Sequence, residues 1–438
     1  MKYRRKEKVA RSWWQDYAVA PMWLWLGLWL SINTGPWHLR AFPHTGLELL
    51  HAARAAFPLL ALLAGTTLAQ AHHGGSRRRM PVPLKLWTIY GLIALAAGFM
   101  FPAATERSSL VSPAYWALTY LSALAVVYFA QQRMPDLAAT VRLNYFTWAL
   151  TTALLVVLLA VARDQLFVGS GLDATGYGVI TRMPTVAGMA MARSSGLARL
   201  AAVPGTVCFV LMWRRPPGWE RVLWAAGCVA AGVMIYVMQS RGAMAAYAFA
   251  LTFTMLFRGR RTRALAVFLL IVSGLAVMLD VVPETAVRHL LYKYDLHSVG
   301  LLTGRQRAWR KAWEFMLRSP LWGWGMQADR DLLGEHAHNA YVYAFLSSGL
   351  AGGAFFVGGL VYAWKRFREA VVHGHARTLG QETVLLQTGA VLAFFTARGI
   401  AEVSGSMFAI DYMIMLPAMS YLSLLGREAR RARREQGA

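Results

Sequence analysis

His338 and Asn339 stand where a charged, aromatic-rich stretch gives way to the apolar run that starts at Ala340. A neutral imidazole there can take a proton from a hydroxyl nucleophile, the usual work of histidine as a general base. An isolated histidine at a span end is also a common interfacial polar residue, so the surrounding chemistry matters. Arginines supply it. Arg241, in Gln239-Ser240-Arg241-Gly242, is wedged between two apolar runs with almost no loop, where a guanidinium is costly unless it faces a polar cavity or an anion. Arg193 opens Arg193-Ser194-Ser195-Gly196-Leu197, Arg199 follows within two turns, and Arg305 heads another basic stretch. The planar fork of arginine suits bidentate contact with phosphate, although each of these side chains can equally anchor its helix by snorkelling. Asp411, near the start of the last apolar run, is placed to pair with an arginine or to support His338.

Positioning these groups falls to a membrane fold. The 438 residues are 57% hydrophobic and 15% charged, with a mean hydropathy of +0.40. That balance suits a bilayer better than a water-soluble core. A spanning helix needs about 20 mainly apolar residues, and about twelve such stretches are present. They lie at 13–32, 53–71, 84–102, 113–130, 144–162, 198–213, 220–239, 242–257, 264–282, 340–363, 383–401 and 407–425. The fold class expected is therefore all-α, a single polytopic transmembrane domain over 1–438. Lys and Arg in short loops mark the cytoplasmic side: Lys2 to Lys8, Arg77 to Arg79, Arg214 and Arg215, Arg258 to Arg263, Lys365 to Arg368, and Arg427 to Arg434. Both termini are then cytoplasmic. The first run leads into Thr34-Gly35-Pro36-Trp37 rather than a small-residue cleavage site, and reads as a retained anchor. Two long segments, 163–197 and 283–339, are sent to the outer side, where the candidate residues lie.

The second outer segment contains an amphipathic stretch. Between Arg305 and Arg318, Trp309, Ala312, Trp313, Met316 and Leu317 recur at helical spacing, with Arg307, Arg310, Lys311, Glu314 and Arg318 opposite. Such a helix is expected to lie on the membrane, closed by Pro320. Gly323-Trp324-Gly325 then forms a turn leading to His336 and His338. Gly349, Gly352 and Gly353 permit close approach of neighbouring helices.

Several classes are excluded on composition. The net charge of +24 sits in blocks beside span ends, which anionic headgroups explain better than nucleic acid does. Cys208 and Cys228 fall within predicted spans, so neither a disulfide framework nor a metal site is read. No P-loop, dinucleotide fingerprint or paired-carboxylate motif calls for a cofactor. The mid-span residues are overwhelmingly apolar, which argues against a transporter, where polar or broken helices gather at the midplane.

These residues also fall into a known pattern. His338-Asn339, nine residues, Gly349, two residues and Gly352 reproduce the His-[Asn/Ser/Gln]-x9-Gly-x2-[Gly/Thr/Tyr] pattern of the O-antigen ligase family. Arg193-x3-Leu197 resembles that family's Arg-x3-Leu pair, and Ser240-Arg241-Gly242 resembles the Ser-Arg-Gly of the wider ligase and polymerase superfamily. The run from Thr303-Gly304-Arg305 through Trp309, Ser319-Pro320-Leu321 and Gly323-Trp324-Gly325 to His338-Asn339 is similar to that superfamily's signature. The motifs span residues 190 to 353, and the plan of spans is similar over the whole chain.

The resemblance implies a metal-independent, inverting glycosyltransferase of the bacterial inner membrane with its active site facing the periplasm. It would move O-antigen from an undecaprenyl diphosphate carrier to the outer core sugar of lipid A-core. The expected partners are those two lipid-borne substrates and membrane lipids, with no cofactor and no nucleic acid. His338 is then the catalytic base. Arg193, Arg241, Arg199 and Arg305 bind diphosphate, and Asn339, Gly349, Gly352 and Asp411 support the site. An O-antigen polymerase using the same donor is the nearest alternative, and a lipid or saccharide transporter the alternative from another class.

Overall fold

The structure is a computed structural model and describes residues 20–32, 48–71, 79–101, 111–133, 137–161, 185–186, 189–190, 194–238, 240–257, 262–269, 305–376 and 378–436. Helices dominate: α1 (Ala20–Ile32), α2 (Glu48–Ala71), α3 (Val82–Met100), α4 (Val111–Arg133), α5 (Leu137–Val161), α6 (Ser194–Arg214), α7 (Trp219–Val237) and α8 (Arg241–Met255). They continue with α9 over 262–269, α10 (Arg305–Arg318), a π turn at Asp329–Leu333, α11 (Ala340–Val372), α12 (Leu379–Arg398) and α13 (Ile410–Gln436). Each apolar run expected to span contains at least part of a helix. Among the described residues six helices, α3 to α7 and α11, are long and apolar enough to cross a membrane by length and composition. Val156 and Val157 on α5, and Val229 and Val233 on α7, point outward and are exposed, which suits lipid rather than water. The protein is an all-α, multi-pass membrane protein. Among the described residues one short ribbon departs from that pattern, with Thr185–Val186 antiparallel to Met189–Ala190. Arg193 and residues 270–304, including most of the ninth run, lie outside the described residues.

An aromatic core lies beneath the site. Trp87 of α3 stacks on Phe356 of α11 at 5.4 Å and on Tyr412 of α13 at 5.5 Å, and Tyr412 stacks on Tyr120 of α4 at 4.1 Å. Buried aromatic hydroxyls and indoles need partners, and here they reach backbone. Trp87 Nε1 donates to Phe356 O at 3.0 Å, Tyr412 Oη to Tyr120 O at 2.9 Å and Tyr90 Oη to Ser406 O at 2.7 Å. The last bond, with Tyr120 Oη donating to Gly405 O at 3.4 Å, fixes the loop between α12 and α13 to this core.

Helix α11 is not the plain span expected. At Gly349 the backbone takes φ 61° and ψ −166°, a region essentially reserved for glycine. The break lies ~14 Å along the helix from its start at a rise of 1.5 Å per residue. The loop after α10 fills the gap. Trp324 N and Gly325 N donate to Leu346 O and Ser347 O at 2.9 and 2.8 Å, while Leu350 N and Ala351 N donate to Pro320 O and Leu321 O at 2.7 and 3.2 Å. Backbone groups opened inside a membrane protein must be satisfied internally, and these four are. A Cβ at Gly349 would sit 2.2 Å from the Leu321 carbonyl carbon, and one at Gly323 would sit 2.4 Å from Gly349 N. The close helix approach expected of the glycines is met instead at Gly352, where a Cβ would lie 3.3 Å from Ile93 of α3. A broken helix is also a transporter device, contrary to the apolar mid-span read from sequence. Here the chain's own loop occupies the break.

Gly349→Ala adds the clash to an intrinsic backbone cost of about 1–3 kcal/mol. It is expected to release the 319–325 loop, seen as new tryptic cuts after Lys311 or Arg318 in detergent-solubilised protein. An unchanged digestion pattern would refute this role for the break.

Candidate active site

Asn339 starts α11. Its backbone is extended and its Oδ1 accepts from Tyr341 N and Val342 N, both at 2.9 Å, an N-cap that satisfies two otherwise unpaired helix donors. Its Nδ2 donates to Ile400 O at 3.0 Å, and Ala340 N donates to Gly399 O at 2.7 Å. One residue therefore begins α11 and ties it to the end of α12. The segment before it is equally constrained. Ala337 N donates to the buried Asp329 carboxylate at 3.1 Å, and Ala337 O accepts from Trp309 Nε1 of α10 at 2.7 Å. Between these fixed neighbours His338 adopts φ +47°, a left-handed conformation that histidine takes more readily than most residues.

The amphipathic helix thus divides its apolar residues. Ala308 and Ala312 are buried against the protein, whereas Trp313 and Leu317 are exposed. Trp309, expected on the membrane side, instead braces the histidine segment.

His338 Nδ1 lies 3.5 Å from Glu402 Oε2, and Arg305 lies 3.8 Å from Glu402 Oε1. Burial by itself would raise the Glu402 carboxyl. The hydrogen bond with His338 and the charges of Arg398, His338 and Arg305 outweigh burial and hold it at about 2. Because the folded value is depressed, its contribution to stability is present above the ordinary carboxylate range and is lost progressively as pH falls from that range through about 2. Glu402 is therefore anionic throughout the neutral range. Nδ1 is the ring nitrogen that faces this carboxylate. A second couple stands beside it: His336 Nδ1 is 3.5 Å from Asp329 Oδ2, and the two imidazoles are 5.5 Å apart.

Behind Glu402 lies a buried ion cluster. Asp411 accepts from Arg199 at 2.8 Å, from Arg398 at 2.5 Å and from Ser404 Oγ at 2.7 Å. Asp411 and Arg398 are only 1% and 3% exposed. Arg199, read from sequence as a diphosphate ligand, is thus already paired, and Asp411 reaches the His338 region through Ser404 and the loop rather than by direct contact. Arg241 begins α8, where Gly242 packs on Ala401, the residue before Glu402 (a Cβ at 242 would be 3.1 Å from Ala401 Cβ). The structure brings His338 and Arg305, both part-exposed, to one mouth at Glu402, with Arg199 and the buried Asp411 behind it and the start of α8 at Arg241 beside it. Among the described residues, four guanidinium groups (Arg199, Arg305, Arg330, Arg398) stand against three carboxylates (Asp329, Glu402, Asp411) in these contacts, an excess of one positive charge. Such a field favours an anion.

Glu402, Arg398, Asp329 and Trp309 were not legible as site residues. Arg398-Gly399-Ile400-Ala401-Glu402 offered one signal, opposite charges four residues apart at a span end in a chain with only 21 acidic residues. A family model described as O-antigen ligase matches residues 226–357, a stretch that holds Arg241, Arg305, His338 and Gly349 but not Arg199, Glu402 or Asp411. No curated protein matches the chain.

Proposed function

Because residues 226–357 place this chain in the O-antigen ligase family, we propose that it transfers O-antigen from undecaprenyl diphosphate to the outer core sugar of lipid A-core, at the periplasmic face of the bacterial inner membrane. The family supports chemistry of the ligase or polymerase type on lipid-linked polysaccharide. The observation that carries the finer reading is His338, facing an anionic Glu402 at Nδ1 where guanidinium groups outnumber carboxylates by one.

In a single displacement, His338 Nε2 takes the proton of the acceptor sugar hydroxyl as its oxygen attacks the anomeric carbon. The bond from that carbon to the diphosphate oxygen breaks, and its electron pair leaves with undecaprenyl diphosphate. One displacement inverts the anomeric centre. Arg241 and Arg305 stabilise charge developing on the leaving group, with Arg193 a further candidate from sequence. Arg199 keeps the mouth positive through its shared carboxylate. Because both substrates are held in one membrane plane, alignment supplies much of the rate.

The test is transfer in vitro with purified protein, lipid-diphosphate-linked O-antigen and lipid A-core, without ATP and with EDTA present. Conversion of bare core to a slow-migrating ladder is expected. Lengthening of the lipid-linked chains with the core left bare would instead assign a polymerase. Folded protein that changes neither substrate would overturn both.

A further inference from the structure

We propose that Glu402 is the positioning residue for the catalytic base: its carboxylate accepts the Nδ1 proton of His338, fixes the tautomer with Nε2 unprotonated, and faces the imidazolium formed when Nε2 takes the acceptor's proton. The inference rests on the transfer reading above and deepens it.

Geometry supports it from both sides of the couple. The 3.5 Å separation between Nδ1 and Oε2 is at the long end of hydrogen bonding, as is common for catalytic contacts before substrate tightens them. The two partners flank different helices, His338 just before α11 and Glu402 in the loop after α12, yet neither is left to chance. Asn339 bonds both to the start of α11 and to Ile400 O, so one side chain sets the spacing between His338 and the residues just before Glu402. Tyr90 and Tyr120 hold the same loop from below at Ser406 and Gly405. Glu402 N donates to Arg398 O at 2.9 Å, and Ser404 N to Glu402 O at 2.8 Å, which fixes the backbone from which the carboxylate projects. Arg305 lies on the other carboxylate oxygen, at 3.8 Å, so Oε2 is the atom turned to the ring. An imidazole without such a partner samples both tautomers and several orientations. A neighbouring carboxylate removes both freedoms and stabilises the charged ring that the proton transfer creates.

The competing role is charge balance alone, with Glu402 doing no more than offset Arg305 and Arg398. The two roles predict different kinetics. A positioning carboxylate acts on the chemical step, so Glu402→Ala is expected to lower kcat by about 10²-fold with KM for the lipid-linked donor within about threefold of wild type. A charge-balancing carboxylate would leave kcat alone, and its removal would lower the donor KM. Glu402 has a side-chain exposure of 22%, which leaves room for a small substitute. Added formate is therefore expected to restore about tenfold or more to Glu402→Ala and nothing to His338→Ala.

The rates are compared at matched amounts of monomer from size exclusion. Should the alanine variant give no monomer, Glu402→Gln carries the test, with the same fall in kcat at constant KM expected. An unchanged kcat, or a loss that formate does not relieve and that comes with a raised KM, overturns the proposal while leaving the transferase reading intact. Wild-type protein that transfers nothing removes that reading, and this inference with it.

Discussion

His338→Ala is expected to reduce the initial rate of core capping by between about 10² and 10⁴-fold, the range that a positioned general base supplies. Insertion and folding should survive. The imidazole is 30% exposed and meets Glu402 at the edge of hydrogen-bond distance, so truncation removes no core packing. The neighbours that fix the backbone act through Ala337 and Asn339 rather than through the ring. What alanine loses is the acceptor nitrogen. Glu402 cannot take over, because the charges that hold its carboxyl at about 2 make it too weak a base to remove a hydroxyl proton near neutrality. Initial rates per folded monomer check this, with donor KM measured in parallel. A variant retaining a third or more of wild-type rate would remove the base from the mechanism and leave a positively charged mouth whose work is alignment and leaving-group stabilisation alone.

How much of this was legible beforehand depended on whether the relevant constraint was local. Apolar run length acts residue by residue, so a described helical stretch falls in every expected run, and six of those helices are long and apolar enough to cross a membrane. His338-Asn339 was legible because a cap residue, a titratable ring and the first apolar turn are adjacent in sequence. The break at Gly349 carried a local trace, since Ser348-Gly349 is the kind of pair at which helices kink. What fills the break is a loop some twenty-five residues earlier in the chain, and no pattern within α11 announces it. Glu402 is separated from His338 by 64 residues and sits in no motif; only the packing of α11 against the end of α12 makes the two neighbours. The same applies to Arg199 and Asp411, 212 residues apart. From sequence each is a lone charge at a span end, and the competition between binding substrate and binding another side chain is settled only in three dimensions. Trp309 shows the reverse error. Its helical spacing correctly places it on an apolar face, but one face of a helix can be shared between protein and lipid, and its indole N–H went to the protein.

Asp411→Ala is expected to lower stability by about 3–5 kcal/mol, the usual cost of stranding buried charge by removing its partner. Two guanidinium groups lose their common acceptor at once. Arg199 can ease toward the mouth, since 22% of its side chain is exposed, but Arg398 has a side-chain exposure of only 4%. Its Nε already has no hydrogen-bond partner, so the guanidinium has little left to exchange for the lost carboxylate. The damage should spread to the site through Ser404, which bonds both Asp411 and Arg398 and belongs to the loop that carries Glu402. Thermal unfolding in detergent, followed as loss of monomer on size exclusion, reads the effect. The cause is isolated by the double variant Asp411→Ala with Arg398→Met, which removes the most deeply buried cation together with its counter-ion. If burial of unpaired charge is the reason, the double variant should unfold at a higher temperature than Asp411→Ala alone, because replacing an ion cluster with apolar side chains is far less costly than breaking it. An Asp411→Ala protein that melts like wild type would show that Arg199 and Arg398 find other solvation there. A double variant no better than the single would place the loss in the Ser404 bond and the loop instead of in the electrostatics.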